Sequence, residues 1–203
     1  MAVRRGKRLP DVLTEGEQEA LMEATGRRSP TALRDKALLV VMLNAGLRNA
    51  EARNLKVEHV NWQTGRIKVV QGKGGKDRFL RLCDADLDLL KRWHRVRGLL
   101  PVKSDYLFIN LKGGRLSDRY LRYMVKSLAA RAGVNGKSVY PHLLRHSFAT
   151  DLYRETLDLV LVKDALGHED IATTTIYTQI CNERLEEAMR KLREKRHERQ
   201  TGT

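Results

Sequence analysis

A histidine and an arginine three residues apart on one helix can meet a phosphate together, and the segment Pro141-His142-Leu143-Leu144-Arg145-His146 offers that pair. The three-residue step sets His142 and Arg145 on one helix face, and an arginine fork makes paired hydrogen bonds to phosphate oxygens. Taken alone, such a pair is more often a solvated or core-edge couple than a ligand site. Three other chemistries fail on spacing. His142 and His146 stand four apart like a zinc pair, but no carboxylate or cysteine companion accompanies them, so no metal is expected. Asp84, Asp86 and Asp88 imitate a calcium loop, yet Leu89 stands where that loop needs glycine and Arg95 where it needs glutamate. They read instead as acids at the start of a helix, favoured by its dipole. The run Gly72-Lys73-Gly74-Gly75-Lys76 lacks the spacing and trailing Ser/Thr of a P-loop, so it is no nucleotide site.

Composition points the same way as the His/Arg pair. Lys and Arg total 39 against 25 Asp and Glu, a net charge of +14, and 25 of the basic residues are Arg. That excess implies a polyanionic partner, nucleic acid first. The 203 residues suffice for one large domain, or one domain with an appendage. At 41% hydrophobic the chain is no disordered tail, and it lacks the roughly 18 uninterrupted apolar residues of a membrane span. The N-terminus is basic without the apolar segment of a secretory signal. Cys83 and Cys181 make neither a disulfide framework nor a zinc ribbon, and a reducing cytoplasm is the expected location.

The elements that must position these residues are mainly helical. Residues 1–11 read as a basic arm with Arg4, Arg5, Lys7 and Arg8. Thr14 with Glu17 is a capping box for a helix to Ala24. Ser29-Pro30 starts a second, buried helix ending near Gly46, and Asn49 can cap a short third one containing Glu51 and Leu55. The period then changes: segments 57–62, 66–71 and 78–82 predict a small three-stranded antiparallel sheet, the last two flanking the glycine hairpin. Residue 84 to about 97 returns to helical spacing. Segment 105–109 predicts an extended piece before the Gly113-Gly114 turn, and Ser117 caps a helix to about Ala132. Further helices are expected at about 142–154, 158–166, 170–177 and 183–198. The fold class is therefore α+β, mainly α-helical.

Set in order, the motifs are Gly46-Leu47-Arg48 with Glu51 and Leu55, the hairpin bearing Lys73, His142 with Arg145 and His146, Leu166-Gly167-His168, and Tyr177-Thr178 nine positions beyond His168. Each is weak alone. Together, in this order and at these intervals, they closely resemble the catalytic domain of the tyrosine recombinases, the phage integrase family, over residues 12 to about 190. Within that family the chain resembles the Xer-type and the short fimbrial-switch enzymes.

The resemblance implies the tyrosine-recombinase catalytic fold and a phosphodiester chemistry needing neither metal, ATP nor any other cofactor. By that resemblance Tyr177 attacks the scissile phosphate of one DNA strand, forming a 3′-phosphotyrosyl bond and freeing a 5′-hydroxyl. Arg48 and Arg145 match the two arginines that hold the non-bridging oxygens. Lys73 matches the lysine that protonates the leaving 5′-oxygen, with Lys76 beside it as a DNA contact. His142 matches the general acid/base, and His168 a phosphate ligand that positions Tyr177. Glu51 is expected to orient Arg48 or a histidine, and His146 to be structural. Among the other tyrosines, Tyr120 and Tyr123 are expected to pack or touch DNA backbone, and Tyr153 lies late in a core helix.

The implied partners are duplex DNA with specific sites, a tetramer of this chain on that DNA, and either an accessory DNA-binding protein or, if the chain is an excised domain, the rest of its own protein. Most family members carry an N-terminal helical domain that closes over the DNA, whereas here the catalytic region is entered within about a dozen residues. The expected organisation is an arm at 1–11, the catalytic domain at 12–182, and an amphipathic C-terminal helix and tail at 183–203. The apolar stripe of that helix, Leu185, Ala188, Met189 and Leu192, fits either a neighbouring protomer or its own domain. Two other readings share these features: a type IB topoisomerase-like relaxing enzyme, and a DNA-binding accessory protein without activity.

Overall fold

The computed structural model describes residues 11–26, 28–70, 77–167, 189–190 and 193–194. The motifs at Lys73, Lys76, His168 and Tyr177, Cys181 and the expected helix at 170–177 lie outside them. So do the arm at 1–10 and all but four residues of the expected helix at 183–198.

Helix α1 (Glu15–Glu23) begins with the Thr14/Glu17 capping box, both reciprocal hydrogen bonds being present. Helix α2 (Pro30–Leu43) starts where Ser29 accepts from the Ala32 amide and proline occupies the first turn. Its last seven residues, Ala37–Leu43, are all buried. An unbroken apolar run of that length needs partners on every side, and α2 finds them in α1, α3 (Asn49–Asn54), α4 (Asp84–Gly98) and α6 (Pro141–Thr156). Helix α5 (Asp118–Arg131) is capped by Ser117. Helix α7 (Leu159–Leu166) is capped by Asp158, which accepts from the amides of Val160 and Leu161. Among the described residues no helix is long and apolar enough to cross a membrane.

The sheet is smaller than expected. Strands β1 (Arg66–Val69) and β2 (Arg78–Arg81) pair antiparallel with Arg66 opposite Arg81 and Val69 opposite Arg78. The expected strand at 57–62 is instead a 3₁₀ turn at Val57–His59 followed by a single bridge, Val60 to Ile67. Two local bonds explain the loss: the Lys56 amide donates to His59 Nδ1 at 3.2 Å, and Asn61 Oδ1 accepts from the amides of Gln63 and Thr64. Both divert backbone that a strand would use. The segment at 105–109 contributes bridges from Tyr106 to Lys56 and from Ile109 to Arg115.

Two further expectations change in detail. Arg48, not Asn49, occupies the cap position of α3. Tyr120 and Tyr123, expected to behave alike, differ: Tyr120 donates to Asp35 at 2.8 Å and stacks under Arg34, while Tyr123 is exposed. Asp84 and Asp86 lie in the first turn of α4, with Asp86 accepting from Asn44.

Between α2 and α3 the chain reverses at Gly46, whose φ is +60°. A Cβ there would lie 2.2 Å from Cδ1 of Phe148 on α6. Gly46 is thus required both for its backbone angle and for the close approach of α6. Replacing Gly46 by Ala is expected to lower the unfolding free energy by about 2–4 kcal/mol, from left-handed strain plus overpacking. Urea titration measures it, and a loss under about 0.5 kcal/mol would contradict this packing.

Candidate active site

The turn at Gly46 delivers Arg48 to the start of α3, and Glu51, three residues on, closes that end of the helix. The Arg48 amide donates to Glu51 Oε2 at 2.8 Å, the reciprocal half of a capping box. The Arg48 side chain bonds the same carboxylate, Nη1 to Oε1 at 2.8 Å. A second guanidinium arrives from β2: Arg78 makes a two-pronged contact, Nη1 to Oε1 at 2.9 Å and Nη2 to Oε2 at 2.8 Å. A third arrives from α6, with Arg145 Nη1 3.7 Å from Oε2. One carboxylate therefore faces three arginines from three separate elements.

The same three arginines also meet the end of α7. Arg78 Nε donates to the Ala165 carbonyl at 2.8 Å, Arg145 Nη2 to the Leu166 carbonyl, and Arg48 Nη2 to the Gly167 carbonyl at 3.2 Å. Carbonyls at a helix C-terminus lack partners within the helix and carry the negative end of its dipole, so guanidiniums are suited to them. Gly167, at φ +61°, takes the left-handed conformation that ends the helix, and His168 is the next residue in the chain. Arg145 spends its other prong on the Gly46 carbonyl at 2.7 Å.

Access differs within the cluster. The Arg48 side chain is 39% exposed, against 2% for Arg145, 8% for Arg78 and 10% for Glu51. Arg48 is thus the guanidinium at the surface, with the other two beneath it. Burial pushes the Glu51 carboxyl up, but the hydrogen bonds and charge of Arg78, the Arg48 amide and the Arg145 charge outweigh it and hold it down at about 2. It is an anion at any ordinary pH.

His142 lies exposed on the first turn of α6 beside these charges. Partial desolvation of its ring by these neighbours, then the charges of Arg145 and Arg48, lower its pKa below the usual imidazole value. Its ring meets that of His146 edge-on, centroids 4.3 Å apart. His146 is more deeply set, and burial followed by His142 and Arg145 brings its pKa to about 4.

Of the residues singled out from the sequence, the described structure gathers Arg48, Glu51, His142, Arg145 and His146. Arg78 was not among them, although a signal existed. Ile67 and Val69 face inward on β1, and Leu80 and Leu82 share the parity of Arg78 on the strand opposite, so period-two alternation turns Arg78 toward the core. A buried arginine demands a carboxylate. Beside Glu51 a cleft of about 490 Å³ is lined in part by Lys56, His59, Lys68 and Tyr106. Its lysines already have partners, Lys56 near Glu58 at 3.5 Å and Lys68 on Asp77 at 3.0 Å.

With this geometry in place, comparison with known proteins gives a consistent result. The pattern of the phage integrase family matches residues 11–184. The chain is 38% identical over 188 residues to the tyrosine recombinase XerH of Helicobacter pylori, covering 90% of this chain and 52% of that protein. Its fold matches the crystal structure of XerA recombinase with a TM-score of 0.80 at 32% identity, over 92% of this chain and 66% of the other. It matches XerH bound to a palindromic difH substrate in a post-cleavage complex with a TM-score of 0.79 at 37% identity, over 90% and 53%. The chain spans little more than half the length of XerH.

The cluster has a measurable pH signature. His146 is neutral in the fold down to about pH 4, whereas an unfolded imidazole takes up a proton near 6.5. Below about 6.5 the unfolded chain therefore binds more protons, and stability, full above that pH, falls as pH drops toward 4. Glu51 adds slope only at the acid end of this window, since the stability it supplies is lost as pH falls through the unfolded value of 4.5 toward 2, and it does so equally with and without His146. Melting temperature is expected to decline from about pH 7 to about 4.5, and His146→Asn to decline less steeply. Equal slopes in the two proteins would contradict the neutral, half-buried His146.

Proposed function

From the premise that this chain belongs to the phage integrase family, we propose that it is the catalytic region of a site-specific DNA recombinase that cuts and rejoins strands through a 3′-phosphotyrosyl intermediate. The observation that carries this reading is the convergence of Arg48 and Arg145, from two elements far apart in sequence, on the carbonyls that end α7 immediately before His168, with His142 one turn from Arg145 on α6. XerH, a relative covering most of this chain, has been captured on DNA in a post-cleavage complex.

In this reading Tyr177 Oη attacks the phosphorus while the bond to the 5′-oxygen breaks. The phenol, with a pKa near 10, must lose its proton as it attacks. His142 takes that proton, and its depressed pKa keeps it in the neutral, accepting form at pH 7. Lys73 gives a proton to the departing 5′-oxygen. Arg48 and Arg145 offset the second negative charge that builds on the phosphoryl oxygens, His168 bonds one of those oxygens, and Lys76 contacts the DNA. The bond energy stays in the phosphotyrosyl ester, so a 5′-hydroxyl from another duplex can reverse the step and exchange strands with no cofactor.

We further propose duplex DNA carrying specific sites as substrate, four copies of the chain on that DNA, an accessory DNA-binding protein, and action in the cytoplasm. The proposed boundaries remain 12–182 for the catalytic region and 183–203 for the amphipathic helix and tail. If that helix docks on a neighbour, deleting residues after 181 reduces recombination more than DNA binding.

Two variants test the reading on nicked duplexes carrying sites that the protein itself selects by binding from a randomised pool; these trap a cleaved intermediate because the short fragment bearing the freed 5′-hydroxyl diffuses away. Wild type is expected to form a covalent protein–DNA band. Tyr177→Phe is expected to abolish it with DNA affinity within about 3-fold, under about 0.7 kcal/mol. Lys73→Ala is expected to slow it by about 10²–10⁴-fold, the usual worth of a general acid. A band from the Tyr177→Phe protein, or none from wild type, would contradict the reading.

A further inference from the structure

Glu51 is held by Arg78 more completely than by either arginine aimed at the phosphate. Arg78 makes both fork bonds to it, at 2.9 and 2.8 Å, and both side chains are buried. Arg48 spends one side-chain nitrogen on the carboxylate and keeps its solvent access, while Arg145 stands off at 3.7 Å. Fork-to-fork pairing is the strongest arrangement available to a carboxylate. Three guanidiniums against one carboxylate leave two positive charges in the cluster.

We propose that Arg78 is a positioning residue for strand cleavage: it occupies Glu51, so that Arg48 and Arg145 keep their charge for the phosphate, and ties the last turn of α7 to the same carboxylate. This rests on the recombinase reading above. Without Arg78 the cluster holds one net positive charge, and Glu51 draws the two remaining guanidiniums onto itself. A phosphodiester carries one negative charge when bound and gains a second in the pentavalent transition state. Removing Arg78 therefore weakens transition-state stabilisation more than DNA binding, which is the signature of an interaction made late in the reaction. The contact from Arg78 Nε to the Ala165 carbonyl adds a geometric role, because it fixes α7, and so the chain leading to His168, relative to Arg48.

Charge balance separates this role from a purely structural one. Arg78→Met removes one positive charge. The double variant Glu51→Gln/Arg78→Met removes one of each sign and restores the balance of two, and the glutamine amide can turn toward the space that Arg78 leaves. Arg78→Lys keeps the charge but not the fork. Single-turnover cleavage of the nicked duplexes, with the DNA concentration for half-maximal rate, provides the readout.

Wild-type cleavage tests the recombinase reading; the ratios among variants test Arg78. Arg78→Met is expected to slow cleavage at saturating DNA at least 100-fold while half-saturation shifts less than 3-fold. The double variant is expected to cleave at least 10-fold faster than Arg78→Met, and Arg78→Lys to fall between Arg78→Met and wild type. Arg78→Met within 3-fold of wild type, or a double variant no faster than Arg78→Met, would overturn the proposal. If Arg78→Met does not fold, the double variant alone decides: a rate at least a tenth of wild type supports the proposal, and a slower one overturns it.

Discussion

One buried carboxylate has to serve three guanidiniums, and much of the site's geometry follows from that. Glu51 has two oxygens, and each accepts from Arg78 as well as from Arg48, once through its side chain and once through its backbone amide. An unpaired buried charge costs several kcal/mol, on the order of 3–5 when one partner of a buried pair is lost. Each member therefore stabilises the others, which ties α3, β2, α6 and the end of α7 into one unit. The three carbonyls at 165–167 complete it by giving each arginine a second acceptor. A surplus of positive charge, tolerable only because a carboxylate and a helix C-terminus share it, leaves Arg48 partly exposed and suited to an anion.

The rest of the fold aims these groups. Helix α2 is apolar over two full turns and has to be surrounded, so α3, next along the chain, and α6, far along it, are both drawn against it. Gly46 lets the backbone pass within contact of Phe148, and its carbonyl receives Arg145. One glycine thus sets both the packing of α6 and the direction in which Arg48 leaves α2. The contact that closes the start of α3, from the Arg48 amide to Glu51, uses the same carboxylate that anchors the arginines, so local helix chemistry and site electrostatics share one side chain.

Much of this was legible in the residues. The caps at Thr14, Ser29 and Ser117 act through local bonds, which is why α1, α2 and α5 start where the sequence indicates. The motif order carried Arg48, Glu51 and Arg145, which meet in space, and His142, one turn from Arg145 on α6. Arg78 escaped notice because its role depends on register and on a carboxylate 27 positions away, and neither is visible in a window along the chain. The strand expected at 57–62 failed for the opposite reason: local hydrogen bonds at Lys56 and Asn61 outcompeted β-propensity. The two tyrosines of α5 diverged because burial of Arg34 and Asp35 recruits Tyr120 and leaves Tyr123 outside, a tertiary demand that periodicity does not encode.

The central claim is that Glu51 is an anion locked among guanidiniums, and its own titration tests that most directly. In protein labelled with ¹³C at the glutamate carboxyl, with the Glu51 signal assigned from Glu51→Gln, chemical shift is followed as pH is lowered. The signal is expected to keep its carboxylate position through the ordinary glutamate range, with a midpoint about 2 or none before acid unfolding. A midpoint near 4.5 in the folded protein would show that the three arginines do not hold this carboxylate.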